Sequence, residues 1–146
     1  MKLMGSGETA AEVEFLSADA DAGEYISSYR NADACMRACR ACPNFGKTWI
    51  CPPFDYDPLD LLRGFGRVTF YGAVIRPVCR DIAVERSLEV MLPARRELER
   101  QLLEACDCRG GVVLAFGGRC SHCPQGCTRP EGLPCRHPDK AAPSLE

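Results

Sequence analysis

Apolar and polar positions alternate along the chain in a way that predicts a few short elements. "AEVEFLS", from Ala11 to Ser17, alternates apolar and polar residues and predicts a short edge strand. Gly23 to Cys42 is free of proline and rich in helix-compatible residues, which predicts a helix running into a first group of cysteines. "RVTFYGAVI", Arg67 to Ile75, is β-branched and aromatic and predicts a strand. From Ile82 to Cys106, Leu88, Met91, Leu92, Arg95, Leu98, Leu102 and Ala105 recur at helical spacing. Pro93 lies inside that pattern and predicts a kink or a break. "GGVVLAFGG", Gly110 to Gly118, predicts a compact strand bounded by glycines.

Strand, long helix and strand over 67–118 make a βαβ-type unit, with crossover enough for a parallel pair. The expected fold class is therefore α/β, with α+β as its alternative. It is a small core flanked by two cysteine-rich metal-binding segments, 35–54 and 119–146. A length of 146 residues fits a single domain. The small, polar residues 1–10 read as a disordered leader.

Composition changes this picture at one point. An apolar fraction of 46% and a charged fraction of 26% are ordinary for a globular protein. The net charge of −2, with scattered basic residues, offers no footprint for nucleic acid. No apolar run reaches membrane-spanning length, and the start of the chain lacks signal-peptide architecture, so a cytoplasmic location is expected. The unusual figure is 11 cysteines. In a reducing compartment that many thiols point to metal ligation or redox chemistry rather than to disulfides.

Two constellations carry the chemistry. In "CMRACRACPNFGKTWICPPF", Cys35, Cys39 and Cys42 fall at i, i+4 and i+7, one face of a helix, and Gly46 offers the turn that returns Cys51 to them. In "RCSHCPQGCTRPEGLPCRHPDKAAPSLE", Cys120, Cys123, Cys127 and Cys135 lie in a stretch nearly free of apolar residues. Such a stretch orders only if something else fixes it, and a bound metal does so because its binding free energy acts as folding free energy. Both groups have three close cysteines and a fourth further on, and Cys42, Cys51 and Cys123 are each followed by proline. That grouping favours iron–sulfur clusters over the paired knuckles of structural zinc. Eight thiols suit two sites, each filled by its own group or with fourth ligands exchanged, and a single site built from both groups is the other arrangement.

Four residues are expected around the metal rather than on it. Lys47 lends positive charge, Trp49 shields the cluster from water, and His122 and His137 either donate hydrogen bonds to sulfur or replace a cysteine on zinc. "ACPNFGKT" ends like a phosphate-binding loop, but Ala41 stands where its first glycine belongs and Pro43 removes an amide. The spacing C-x3-C-x2-C at Cys35, Cys39 and Cys42 is also that of radical S-adenosylmethionine enzymes, although Cys51 is placed to close the fourth position. Cys79, Cys106 and Cys108 read as ordinary thiols.

The stretches "CRACPNFGKTWICPPF" and "CSHCPQGCTRPEGLPCRHPDKAAPSLE" resemble a prokaryotic family of predicted metal-binding proteins, domain of unknown function 2284. The resemblance rests on C-x2-C-P-x-[YF]-G-x-x-W-x-C-P-P near the start and C-x2-C…P-C-R-H-P…S-[ML]-E near the end. It implies metal binding, iron–sulfur in kind, with no known reaction attached. The combined expectation is an iron–sulfur protein holding one or two [4Fe–4S] clusters for electron transfer or redox sensing, with a redox protein as partner. A zinc-stabilised interaction module is the alternative, and a cluster-dependent enzyme is the third reading.

Overall fold

The computed structural model describes residues 1–114, 120 and 122–139. Helices and strands are mixed, as expected, and the described chain divides into two compact units, Met1–Ala20 with Thr69–Gly111, and Asp21–Val68 with Val112–Glu146.

The first unit is built on a three-stranded sheet in the order β1-β2-β3, with β1 at Lys2–Met4, β2 at Ala11–Asp21 and β3 at Arg67–Pro77. β1 pairs antiparallel to β2, with Lys2 opposite Val13 and Met4 opposite Ala11. The β2–β3 pair is antiparallel too: Thr69 donates to Asp19 at 2.6 Å, and Arg76, further along β3, meets Glu14, further back on β2, at 3.3 Å. Two sequence expectations change here. The first residues are not a leader, because Lys2–Met4 hydrogen-bond to β2 and Met4 packs on the core. β2 is the central strand rather than an edge, since both its neighbours are strands.

One face of the sheet is covered by α4, Ser87–Arg109. Because side chains alternate along a strand, Ala11, Val13 and Phe15 of β2 share a face, as do Ala73 and Ile75 of β3. These meet Val90 and Ala94 of α4, with Met4 and Ile82 packed alongside. The buried stripe of α4 is Val90, Ala94 and Leu98, at strict i, i+4 spacing, whereas Leu88 and Met91 are about half exposed. Apolar residues surround this helix, so periodicity alone misplaced the stripe by a residue or two. Pro93 does not break α4, which runs uninterrupted through it. Val90 and Ala94 are buried on either side of the proline, and their packing holds the turn that lacks an amide donor. The helix ends at Gly110, whose φ of 71° suits glycine and whose N–H reaches Cys106 O at 2.9 Å. Beyond it, residues 110–114 are not strand, and the remainder of the strand expected over 110–118 lies outside the described residues. The described sheet is therefore antiparallel, without the parallel pair of a βαβ unit.

On α4, Arg100 forks onto Glu97 at 2.8 and 3.0 Å and reaches Glu104 at 2.8 Å, while Gln101 adds a bond to Glu97. Hydrogen bonds from Arg100 and Gln101 hold the Glu97 carboxyl down at about 2, against an ordinary 4.5. A depressed carboxylate stabilises the fold fully above its unfolded value and loses that contribution as pH falls through the folded one. Glu97→Gln is thus expected to be less stable than the parent near neutrality, with the difference shrinking as pH drops from 4.5 toward 2. Denaturant titrations of both proteins across that window check it.

In the second unit, side-chain caps start the three α-helices. Asp21 accepts from Glu24 N at the short α1, Ala22–Glu24, and a π-helical turn follows over Tyr25–Tyr29. Asn31 accepts from Ala34 N at 3.0 Å and opens α2, Ala32–Arg40. Asp57 accepts from Leu59 N at 2.9 Å and, with Pro58 behind it, opens α3, Pro58–Arg63. The helix expected over Gly23–Cys42 is therefore present in pieces and stops before Cys42.

Candidate metal centre

α2 carries Cys35 and Cys39 one turn apart, so both sulfurs leave the same face. Cys42 lies beyond the helix and is placed by turns: its N–H bonds Cys39 O at 3.0 Å, and Phe45 N bonds Cys42 O at 3.1 Å. Gly46, at φ 71°, then lets its amide reach Pro52 O at 2.8 Å. That bond closes the loop on itself and returns Cys51, whose N–H meets Thr48 O at 3.1 Å. Cys51 is buried, Cys35 and Cys39 are half-buried and Cys42 is exposed. Burial pushes the Cys39 thiol above its ordinary value, and Cys51, Cys35 and Cys42 push it further.

The second group is framed in the same manner. Gly126, at φ 97°, turns the chain between Cys123 and Cys127, its N–H reaching Cys123 O at 3.0 Å. The loop from Cys127 to Cys135 is stapled by Thr128, buried, whose hydroxyl donates to Pro134 O at 2.8 Å, and by Arg136, which donates to Gly126 O at 3.1 Å. Burial raises the Cys120 thiol; the His122 amide, bonded to its sulfur, lowers it; and Cys123, Cys127 and Cys135 raise it again.

Backbone amides two residues on are aimed at sulfur in both groups. Asn44 N–H donates to Cys42 Sγ and His137 N–H to Cys135 Sγ, each at 3.4 Å, and His122 N–H does the same for Cys120. At Cys120 that donor favours the thiolate, the form that ligates metal.

The two cysteine segments are clipped together by Arg129, which lies two residues beyond Cys127. Its guanidinium donates to the carbonyls of Thr48, at 2.7 Å, and of Cys51 and Pro53. It also lies 5.1 Å from the centroid of the Trp49 ring, a cation–π distance. Trp49 returns the connection by donating its indole N–H to Leu133 O at 3.1 Å.

The description predicted metal-binding protein (DUF2284) belongs to a family that matches residues 26–146. The chain is a member of the DUF2284 family. No curated protein and no solved structure matches it. The matched stretch holds both cysteine groups of this DUF2284 protein, together with Trp49 and Arg129.

Among the described residues, no three His, Cys, Asp or Glu side chains are gathered closely enough to hold a single metal ion. The donor set nevertheless suits a thiophilic metal, and Thr48 adds a second sign of fit: its hydroxyl oxygen is buried without a hydrogen-bond partner. A buried hydroxyl left unpaired is costly, and a sulfur-rich group bound beside the Cys51 turn supplies an acceptor.

The residues expected around the metal are placed unevenly. Trp49 packs under Arg129 rather than standing alone as a shield. Lys47 is exposed. The ring centroids of His122 and His137 lie 6.3 Å apart, the planes tilted by 50°. Cys106 donates its thiol to Gly111 O at 3.3 Å, Cys79 is half-buried and Cys108 exposed. Arg129 had no sequence signal beyond its position between two cysteines, because its partners are carbonyls nearly eighty positions away.

Trp49→Phe keeps an aromatic face under Arg129 but removes the bond to Leu133. The expected loss is about 1 kcal/mol, the usual net worth of one hydrogen bond, measured by denaturation of the metal-loaded protein.

Proposed function

We propose that this DUF2284 protein is an iron–sulfur protein with two four-cysteine sites, one at Cys35, Cys39, Cys42 and Cys51 and one at Cys120, Cys123, Cys127 and Cys135. Each holds a [4Fe–4S] cluster, and the pair serves electron transfer or redox sensing. The observation that carries this reading is that each set of four cysteines is held by its own turn frame, with backbone N–H groups aimed at sulfur. A cubane cluster bonds its four cysteines through irons at separate corners, so it takes a wider set of sulfurs than one tetrahedral ion does. In each group three close cysteines and a fourth further on support a cluster over a lone zinc. N–H···S bonds and burial of Cys51 are the protein's levers on cluster potential, which suits electron exchange. With Cys51 returned to the other three, the first site has no open iron for a substrate, which favours electron transfer over catalysis. A redox protein is the partner this chemistry calls for, and eight reduced thiols call for a reducing, cytoplasmic setting. Among the described residues no helix is long and apolar enough to cross a membrane.

One observation favours zinc at the second site instead: His122 and His137, each two residues beyond a cysteine, have ring centroids 6.3 Å apart, and imidazole is a zinc ligand. Anaerobic reconstitution separates the two. The cluster reading expects a brown protein with equal iron and acid-labile sulfide, bleached by dithionite. A colourless protein that binds zinc stoichiometrically and no sulfide overturns it.

A further inference from the structure

All three carbonyls that Arg129 grips belong to the loop bearing Cys51, although Arg129 itself stands in the loop from Cys127 to Cys135. One of those carbonyls is that of Cys51, the fourth cysteine of the first group. The connection is returned by Trp49, which donates into the same far loop at Leu133, and that loop is fastened at Thr128 and Pro134. The first loop buries Ile50, Cys51 and Pro52, whereas among the described residues of the second only Thr128 is buried. The second loop thus depends for its order on a bound metal and on its connections to the first.

We propose that Arg129 is a positioning residue that couples the two sites, so that filling either one holds the cysteine frame of the other closed. The proposal rests on the two-site iron–sulfur reading. Its physical basis is the guanidinium itself, a planar fork with five donors that spans several carbonyls at once and stacks on an indole face; a lysine ammonium is a point charge on a flexible stem. If the Cys120–Cys135 loop loosens, Arg129 releases the Cys51 carbonyl, and Cys51 is free to leave the first cluster. The same clip works in reverse, as coupling between two sites must.

The test follows iron release to a ferrous chelator from anaerobically reconstituted wild type, C135S, R129K and R129K/C135S. Iron content is measured before release begins, which keeps the two ideas apart. A wild type with iron for one cluster, or complete iron loss in both C51S and C135S, overturns the two-site reading. With Arg129 present, C135S is expected to speed release from the first site about 10-fold, within the usual range of coupling between sites. In the R129K background the second substitution is expected to change release by less than about 2-fold. An arginine that merely stabilises the fold would speed release by the same factor whether or not the second site is intact, and that result overturns the proposal. Should R129K fail to load, the otherwise unaltered chain decides. Faster release from the remaining site in both C135S and C51S supports coupling, and an unchanged rate in either overturns it.

Discussion

Cys51→Ser is expected to remove roughly half of the iron and acid-labile sulfide from the reconstituted protein, leaving the second site filled, since a [4Fe–4S] cluster takes four cysteines. The reasoning starts from placement. Cys51 is the buried member of its group and enters it only through the Gly46–Pro52 closure, so no other cysteine of that loop stands in for it. Serine matches the shape but offers a harder, more basic oxygen in place of thiolate, a poor exchange for iron in a sulfur-rich shell. Cys135→Ser is the mirror case in the second group. Iron and sulfide analysis of the two variants beside the parent reads the result directly. Full iron in Cys51→Ser would show that Cys51 is not a ligand, and complete loss in both variants would show one shared site.

Stripping the metal from the loaded protein is expected to release the segment from Cys120 to Asp139. That segment buries Thr128 and little else, so the metal supplies what an apolar core supplies elsewhere. Structural metals contribute on the order of 10 kcal/mol to small sites of this kind, more than the stapling hydrogen bonds of Thr128 and Arg136 replace. Trp49 is the sole tryptophan and a built-in reporter, because Leu133 and Arg129 hold its indole from that same segment. On complete chelation its emission is expected to shift to the red, and the segment to become quickly cleaved by protease. The α4-and-sheet core, with Val13, Val90 and Ala94 packed without any cysteine, is expected to keep its helical signal. Trp49 emission and protease resistance that survive full iron removal would refute a metal-dependent fold for this segment.

The strand from Arg67 and the helix up to Arg109 were legible because β-branched runs and three-to-four spacing are local signals that survive into the fold. The pairing of Lys2–Met4 was not legible: three residues carry no period, and only the register against Ala11–Val13 makes them a strand. The continuity of α4 through Pro93 was hidden for a related reason, since packing of Val90 and Ala94 outweighs a local rule.

For the candidate site, the eight cysteines proposed as ligands and their division into two groups are read from spacing alone, because ligand chemistry is a matter of residue type. The turns that frame them depend on nearby glycines, Gly46 and Gly126. Tertiary structure alone decided that Cys42 is carried by a turn rather than by the helix, that the Thr48 hydroxyl is buried without a partner, and that Arg129 fastens one cysteine loop to the other. Those features join backbone carbonyls to side chains far along the chain. Carbonyls look alike in every residue, so no sequence pattern announces which of them an arginine will hold.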